Sequence, residues 1–365
     1  MIPFNQLKPL HDLLADEINA ALLRAADSGW YILGPEVEAF EREFAAYHGV
    51  SHAVGVANGT DAIELALRAG GVGAGDEVIT VAHTALATVA AIEATGAVPI
   101  LADIDADIFT LCPDAARAAI TPRTVAIVAV HLYGGTADLD ALVELAQAHD
   151  LLLIEDCAQA HGALYKGRPV GTIGRLGAFS FYPTKNMGAY GDGGAVITDD
   201  DALADRLRKL RNYGQSSRYR HHSRGTNSRL DELQAAILRV KLAHLDGLNG
   251  RRRAIAALYD ANLTGVRKPS ARADCQHVYH LYVIRAAQRD QLMKDLQERG
   301  IGTLIHYPVP VHLQESHRDL GLGEGSLPQT ERAAREILSL PLYIGLSDDD
   351  ALRVCEVIGQ LRGSF

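Results

Sequence analysis

The sequence predicts an α/β fold: a largely parallel sheet covered by helices on both faces, followed by a smaller α+β domain. Three observations predict it. Short continuous runs rich in Val, Ile and Leu alternate with stretches whose apolar residues recur at helical spacing, the pattern of strands buried on both faces. The chain has 365 residues, more than a single core usually serves, so two domains are the default. The alternation ends near Asn249-Gly250-Arg251-Arg252-Arg253, a charged segment that marks a boundary. The expected division is therefore a large domain over 1–248 and a small one over 249–365.

The elements follow in order. Residues 10–28 place Leu10, Leu13, Leu14, Ile18, Ala21 and Leu22 on one side of an amphipathic helix that Ser28-Gly29-Trp30 ends. A second helix covers 37–47 and stops at Gly49. The strand Ala53-Val54-Gly55-Val56 runs into the turn Ala57-Asn58-Gly59-Thr60. The helix over 61–68 opens on a capping-box pair, Asp61 with Glu64, and closes at Gly70-Gly71. Strands at 78–81, 98–102, 125–130 and 151–154 alternate with helices at 85–95 and 139–148. Strands at 178–181 and 195–198 bracket a glycine-dense segment, and a helix over 202–210 follows. Helices at 230–245 and 254–263, a strand-like stretch at 278–285 and helices at 289–299 and 348–361 complete the chain.

Composition narrows the function. Hydrophobic content of 48% and charged content of 22% are ordinary for a soluble globular enzyme. The most apolar region, 85–102, carries Glu93 and is broken by Gly96 and Pro99, so no membrane span is expected. The N-terminus has no basic stretch ahead of an apolar core, so no signal peptide is indicated and a cytoplasmic protein is expected. Cys112, Cys157, Cys275 and Cys355 are scattered with no C-x-x-C pair, which argues against a metal site or a disulfide framework. A net charge of −10 argues against general nucleic-acid binding. It leaves room for a phosphorylated ligand at a locally basic loop. Such a loop is present: Arg211, Arg218, Arg220, His221, His222, Arg224 and Arg229, interleaved with Tyr213 and Tyr219.

Chemistry concentrates around Gly177-Ala178-Phe179-Ser180-Phe181-Tyr182-Pro183-Thr184-Lys185-Asn186-Met187-Gly188 and the glycines that follow, Gly191, Gly193 and Gly194. A lone lysine on a Pro-broken turn between two buried strands fits a Schiff-base amine. It also fits a plain hairpin turn, and on this stretch alone both readings stand. Gly59-Thr60, between a strand and a helix N-terminus, is a natural phosphate seat, although many such turns bind nothing. Asp156 and Gln159 lie just past the end of a strand, where parallel sheets hold ligands. Phosphate turn, strand-end acid, Ser180 hydroxyl and Lys185 amine are together the parts that pyridoxal phosphate requires. A purely structural explanation must account for all four at once. A nicotinamide dehydrogenase lacks support, because no G-x-G-x-x-G follows the first strand.

The motifs Gly34-Pro35-Glu36-Val37, Asn58-Gly59-Thr60-Asp61-Ala62, Gly75-Asp76-Glu77-Val78-Ile79, His131-Leu132-Tyr133-Gly134, Glu155-Asp156, Tyr182-Pro183-Thr184-Lys185-Asn186 and Asn227-Ser228-Arg229-Leu230-Asp231-Glu232 carry a resemblance over nearly the whole length. The chain resembles the sugar aminotransferases of the DegT/DnrJ/EryC1/StrS group. That resemblance implies a pyridoxal phosphate enzyme of fold type I with a mixed, mostly parallel sheet in its large domain. It implies Lys185 as the lysine that binds the cofactor's aldehyde, Asp156 at the pyridine nitrogen and Gln159 near the cofactor hydroxyl. Gly59, Thr60 and Ser180 are implied at the phosphate, with Asn227 reaching the phosphate of the other subunit in a homodimer. Candidates for substrate contact are Tyr182, Arg218, Tyr219, His306 and Tyr307. A family variant with histidine in place of the lysine dehydrates instead; Lys185 disfavours that variant.

Lys185-Asn186-Met187-Gly188-Ala189-Tyr190-Gly191-Asp192-Gly193-Gly194 looks like the members that aminate C3 of a nucleotide-linked 3-keto-6-deoxyhexose. Members acting at C4 tend to end this segment in Glu-Gly-Gly. The implied substrate is thus a dTDP-3-keto-6-deoxyhexose, with L-glutamate as amino donor. A C4 keto sugar, a UDP-sugar, a cyclitol or a non-catalytic regulatory role are the alternatives. Ala85 stands where many relatives carry an aromatic over the ring, which leaves His83 or a different cover for that face.

Overall fold

The computed structural model describes residues 1–361. At its centre is a seven-stranded sheet of β1 (His52–Val56), β2 (Glu77–Val81), β3 (Val98–Ala102), β4 (Thr124–Val130), β5 (Leu152–Asp156), β6 (Leu176–Ser180) and β7 (Gly194–Thr198). The spatial order is β1-β7-β6-β5-β4-β2-β3. β7 pairs antiparallel with both β1 and β6, and every other pair is parallel. The sheet is therefore mixed and mostly parallel. All strands but β7 end on one edge, where such sheets place their ligands.

The strands read as continuous apolar runs because both faces are covered. The helices are α1 (Lys8–Leu13), α2 (Ala15–Asp27), α3 (Pro35–His48), α4 (Gly59–Ala69), α5 (Leu86–Ala94), α6 (Pro113–Ala118), α7 (Leu139–Ala148), α8 (Asp201–Leu210) and the long α9 (Glu232–Asn262). On one face Ile63 and Leu67 of α4 and Leu207 of α8 pack on Val54, Val128, Ile154 and Val196. On another, Phe40 and Phe44 of α3 and Leu238 and Leu245 of α9 pack on Phe179 and Phe181. Beyond α9 come β8 (Tyr282–Arg285), α10 (Arg289–Glu298), α11 (Pro328–Glu336), β9 (Ile337–Leu340) and α12 (Asp348–Gln360). β8 and β9 pair antiparallel. They share a core with Tyr259, Leu292, Leu296, Val354 and Ile358.

Three local expectations are corrected. The helix over 10–28 is two helices, broken at Leu14 (φ −117°, ψ 16°), which is buried against Ile18 and Ile237. The N-cap of α4 is Asn58, whose Oδ1 accepts the Asp61 amide at 2.8 Å. Glu64 is not part of a capping box; it pairs with Arg68 at 2.7 Å. Nor does 249–253 form a linker: α9 runs straight through it. The reason is that its polar groups are used inside. Asn249 Nδ2 donates to the His161 carbonyl at 2.8 Å, and Arg252 donates to the carbonyls of Tyr279, His280 and Leu342. Position 248 thus lies within α9, and we propose that a large domain over 1–248 and a small one over 249–365 share that helix. No helix among the described residues is long and apolar enough to cross a membrane.

Candidate active site

The carboxyl ends of β1, β2, β5 and β6 converge on one cavity of about 290 Å³, close to the lower end of small-molecule sites. Its walls bring together Gly59 and Thr60 from the first turn of α4, Asp156 at the end of β5, Gln159 just beyond it, Ser180 at the end of β6, and Tyr182 and Lys185 from the turn that follows.

Each is held for a local reason. Gly59 and Thr60 open α4, so their amides have no intrahelical acceptor and the helix dipole favours an anion there. Gly59 must be glycine, since a Cβ would lie 2.4 Å from Ser180 Cβ. Gly188 and Gly194 are also demanded by close approach: a Cβ on either would come 2.3 Å from a carbonyl oxygen, of Pro183 and Asn58 respectively. Neither has a positive φ. Backbone bonds close the lysine turn, from Lys185 N to Tyr182 O at 2.8 Å and from Ala189 N to Phe181 O at 2.7 Å. Burial pulls the Lys185 amine down to about 8, against the opposing charge of Asp156.

Asp156 is buried, with Oδ1 accepting from Ala158 N at 3.0 Å and Oδ2 from Thr88 Oγ1 at 2.8 Å. Burial pushes its pKa up against those two donors and the charges of Lys185 and His131. A carboxylate in that position is stabilised by any cation placed beside it. Gln159 is orientated by its neighbours: Oε1 accepts from Tyr133 N at 2.7 Å and Nε2 donates to Tyr307 Oη at 3.2 Å. One amide hydrogen remains uncommitted. Burial and the charge of Asp156 push the Tyr307 hydroxyl up to about 12.

Glu155, one residue earlier, has a different task. It accepts from the amides of Gly171, Ile173 and Gly174 and from His131 Nε2. Against the burial that would raise it, His131 and those amides hold its carboxyl below the usual range. With Cys157 these residues form a group of potential metal ligands. However, His131 Nδ1 is already an acceptor for Ala137 N at 3.1 Å, and both Glu155 oxygens are taken. This cluster is a pillar under the site.

The DegT/DnrJ/EryC1/StrS aminotransferase family model matches residues 12–359. The chain belongs to this family. It is 52% identical over 360 residues to the dTDP-3-amino-3,4,6-trideoxy-alpha-D-glucose transaminase of Streptomyces venezuelae, covering 98% of this chain and 95% of that one. The crystal structure of DesV from S. venezuelae superposes with a TM-score of 0.97 at 52% identity, covering 99% of this chain and 98% of that chain. NtdA from Bacillus subtilis, solved with its cofactor PMP bound, superposes with a TM-score of 0.92 at 32% identity, over 99% of this chain and 85% of that chain.

As a DegT/DnrJ/EryC1/StrS aminotransferase the chain leaves several expected residues outside its own cavity. Asn227 is exposed; the next residue, Ser228, accepts the Ala57 amide at 3.1 Å, beside the Asn58 turn. Arg218 and Tyr219 are exposed, with the guanidinium 5.2 Å from the tyrosine ring centroid. His306 faces away: its ring stacks on Phe4 and its Nδ1 meets Ser339 Oγ at 2.9 Å, while its carbonyl accepts from Tyr133 Oη. His83 is buried outside the lining, with Nε2 2.8 Å from Tyr133 Oη, and burial pulls it down to about 4. Ala85 and Ala158 line the cavity instead. Sequence reasoning missed Thr84 and Thr88, which line it too. Their signal is two hydroxyls four residues apart at the start of an otherwise apolar helix.

Proposed function

We propose that this chain is a pyridoxal 5'-phosphate-dependent aminotransferase that moves an amino group from L-glutamate to C3 of a dTDP-linked 3-keto-6-deoxyhexose. The observation that carries the reading is the presence of an amine drawn down to about 8 and a buried carboxylate in one cavity, next to a helix N-terminus where only glycine fits. These residues fit the cofactor. Gly59, Thr60 and Ser180 would receive its phosphate, Asp156 its ring nitrogen, Gln159 its hydroxyl and Lys185 its aldehyde. When bound, the cofactor's ring supplies an electron sink for carbon–hydrogen cleavage next to nitrogen.

The chain's own residues supply the rest. Asp156 holds a charge that keeps a proton on the ring nitrogen, and Thr88 and Ala158 fix where that charge points. Lys185, free as an amine for a useful fraction of the time near neutral pH, takes and returns a proton at Nζ. Tyr182 stands at the cavity wall to meet the sugar. We place Asn227, Arg218 and Tyr219 at the partner subunit's site in a homodimer. Their exposure supports this, since none reaches the cavity of its own chain. There the arginines of the basic loop would meet the substrate diphosphate. His306 and Tyr307 belong to the layer behind Gln159, through Tyr133 and Gln159 respectively. The name of the S. venezuelae relative supports C3 and the thymidine nucleotide.

The test is a substrate panel with glutamate as donor. Turnover is expected with the dTDP-3-keto-6-deoxyhexose and at least tenfold less with its C4 keto isomer or the UDP-sugar. A cyclitol ketone or the sugar without its nucleotide turning over as well would overturn the assignment.

A further inference from the structure

Helix α9 carries three polar residues, Gln234, Lys241 and Asn249, seven and eight positions apart, which puts them on one face. Each grips the segment that follows Lys185. Asn249 Oδ1 accepts from Asn186 Nδ2 at 2.9 Å, Lys241 Nζ donates to the Gly188 carbonyl at 2.5 Å, and Gln234 Oε1 accepts from Tyr190 N at 2.8 Å. Residues 186, 188 and 190 are thus held in alternation by one helix. Gly188 in turn lies against Pro183, with no room for a Cβ, so the grip passes directly to the turn that carries Lys185.

Lys241 is the unusual member. It is 3% exposed, and its amine meets the Gly188 carbonyl and the face of Tyr190, 4.5 Å from the ring centroid. Among the described residues no carboxylate pairs with it. A buried ammonium without a counter-charge is costly, and an apolar residue of similar length would pack at that place without the cost. Such violations concentrate at functional sites.

We propose that Lys241 is a positioning residue that holds Lys185 in its dry, reactive place by tying the Gly188 carbonyl and the Tyr190 ring to helix α9. The proposal rests on Lys185 being the reactive amine. Without the tie, the 186–190 segment lifts, water reaches Nζ of Lys185, and the amine regains its ordinary affinity for protons. Asp156 is the charge that acts on Lys185, and the Lys185 charge in turn bears on His161, His280 and His306. None is in contact with Lys241, so a change at Lys241 reaches Lys185 through the backbone.

The experiment uses cofactor-free protein and acetic anhydride labelling of Lys185 across pH, read by peptide mass spectrometry. The parent midpoint is expected near 8. In Lys241→Met it should rise by about one unit or more, with Lys241→Arg, which keeps the cation and its donors, in between. In the loaded enzyme, kcat of Lys241→Met should fall about tenfold or more with KM for the keto sugar within about twofold. A folded Lys241→Met with the parental midpoint and kcat overturns the proposal. If that variant does not fold, Gln234→Met loosens the same segment from a partly exposed position; a smaller rise supports the proposal and an unchanged midpoint overturns it. The labelling needs neither cofactor nor substrate. A midpoint that moves in a protein that never transaminates therefore sinks the functional reading and leaves this one standing.

Discussion

Replacing Asp156 with Asn separates the chemistry of the site from its architecture. The amide keeps the shape of the side chain. Its oxygen can still accept from Ala158 N, and its NH2 can donate to Thr88 Oγ1, which has Thr84 Oγ1 at 3.0 Å as a second partner and can reverse its role. The fold should therefore lose no more than about 1 kcal/mol, the net worth of one hydrogen bond. What is lost is a negative charge. Two unit charges about 4 Å apart in a site of effective dielectric near 20 interact by about 4 kcal/mol. At about 1.4 kcal/mol per factor of ten, that is a rate roughly a thousandfold lower. Single-turnover measurement of amino transfer from glutamate reads the rate, and equilibrium dialysis reads cofactor retention. A thousandfold drop with retention within about tenfold of the parent is expected, since the phosphate seat lies elsewhere. A near-parental rate, or a normal rate with lost cofactor, would refute this division of roles.

Three further outcomes follow. Lys185→Met should abolish transamination and stabilise the cofactor-free protein. The amine sits at about 8 when folded against 10.5 ordinarily. Between those values the unfolded chain binds more protons, so the parent gains stability as pH rises through the window and bears the full cost below it. That cost is on the order of 3 kcal/mol, so urea unfolding should show the variant's advantage at pH 7 shrinking towards pH 10. Gly59→Ala forces a methyl onto Ser180 and should weaken cofactor binding about tenfold or more in a titration, with the apoprotein still folded. Mixing Lys185→Ala with Asn227→Asp under subunit exchange should restore up to half activity per heterodimer. No recovery despite proven exchange would place Asn227 in its own chain's site.

Much of the fold was legible because a parallel sheet covered on both faces leaves uninterrupted apolar runs. Thr124–Val130 and Val98–Ala102 are examples that came out within a residue of their observed ends. The split of α9 went wrong for a physical reason. Asn249 and Arg252 look like surface charge and polarity in one dimension, yet both are buried and bonded to chain that is distant in sequence. The Asp61–Glu64 pair failed similarly, since Asn58 holds the better geometry for the same amide. In the site, Lys185, Asp156, Ser180 and Gly59 stood out because each follows or precedes a strand on the ligand edge. Thr88 did not, because its importance comes only from Asp156 across the cavity. Lys241 was invisible as well: nothing in Arg239-Val240-Lys241-Leu242 says that its amine turns inward to Gly188.

The central claim is that Lys185 forms an imine with pyridoxal phosphate, and borohydride reduction followed by peptide mapping tests it most directly. The loaded protein should show an absorbance band near the visible edge that borohydride removes, with the phosphopyridoxyl mass fixed on the peptide carrying Lys185 and absent from Lys185→Ala. Label on another lysine, Lys241 included, or no fixed label at all, would contradict the account.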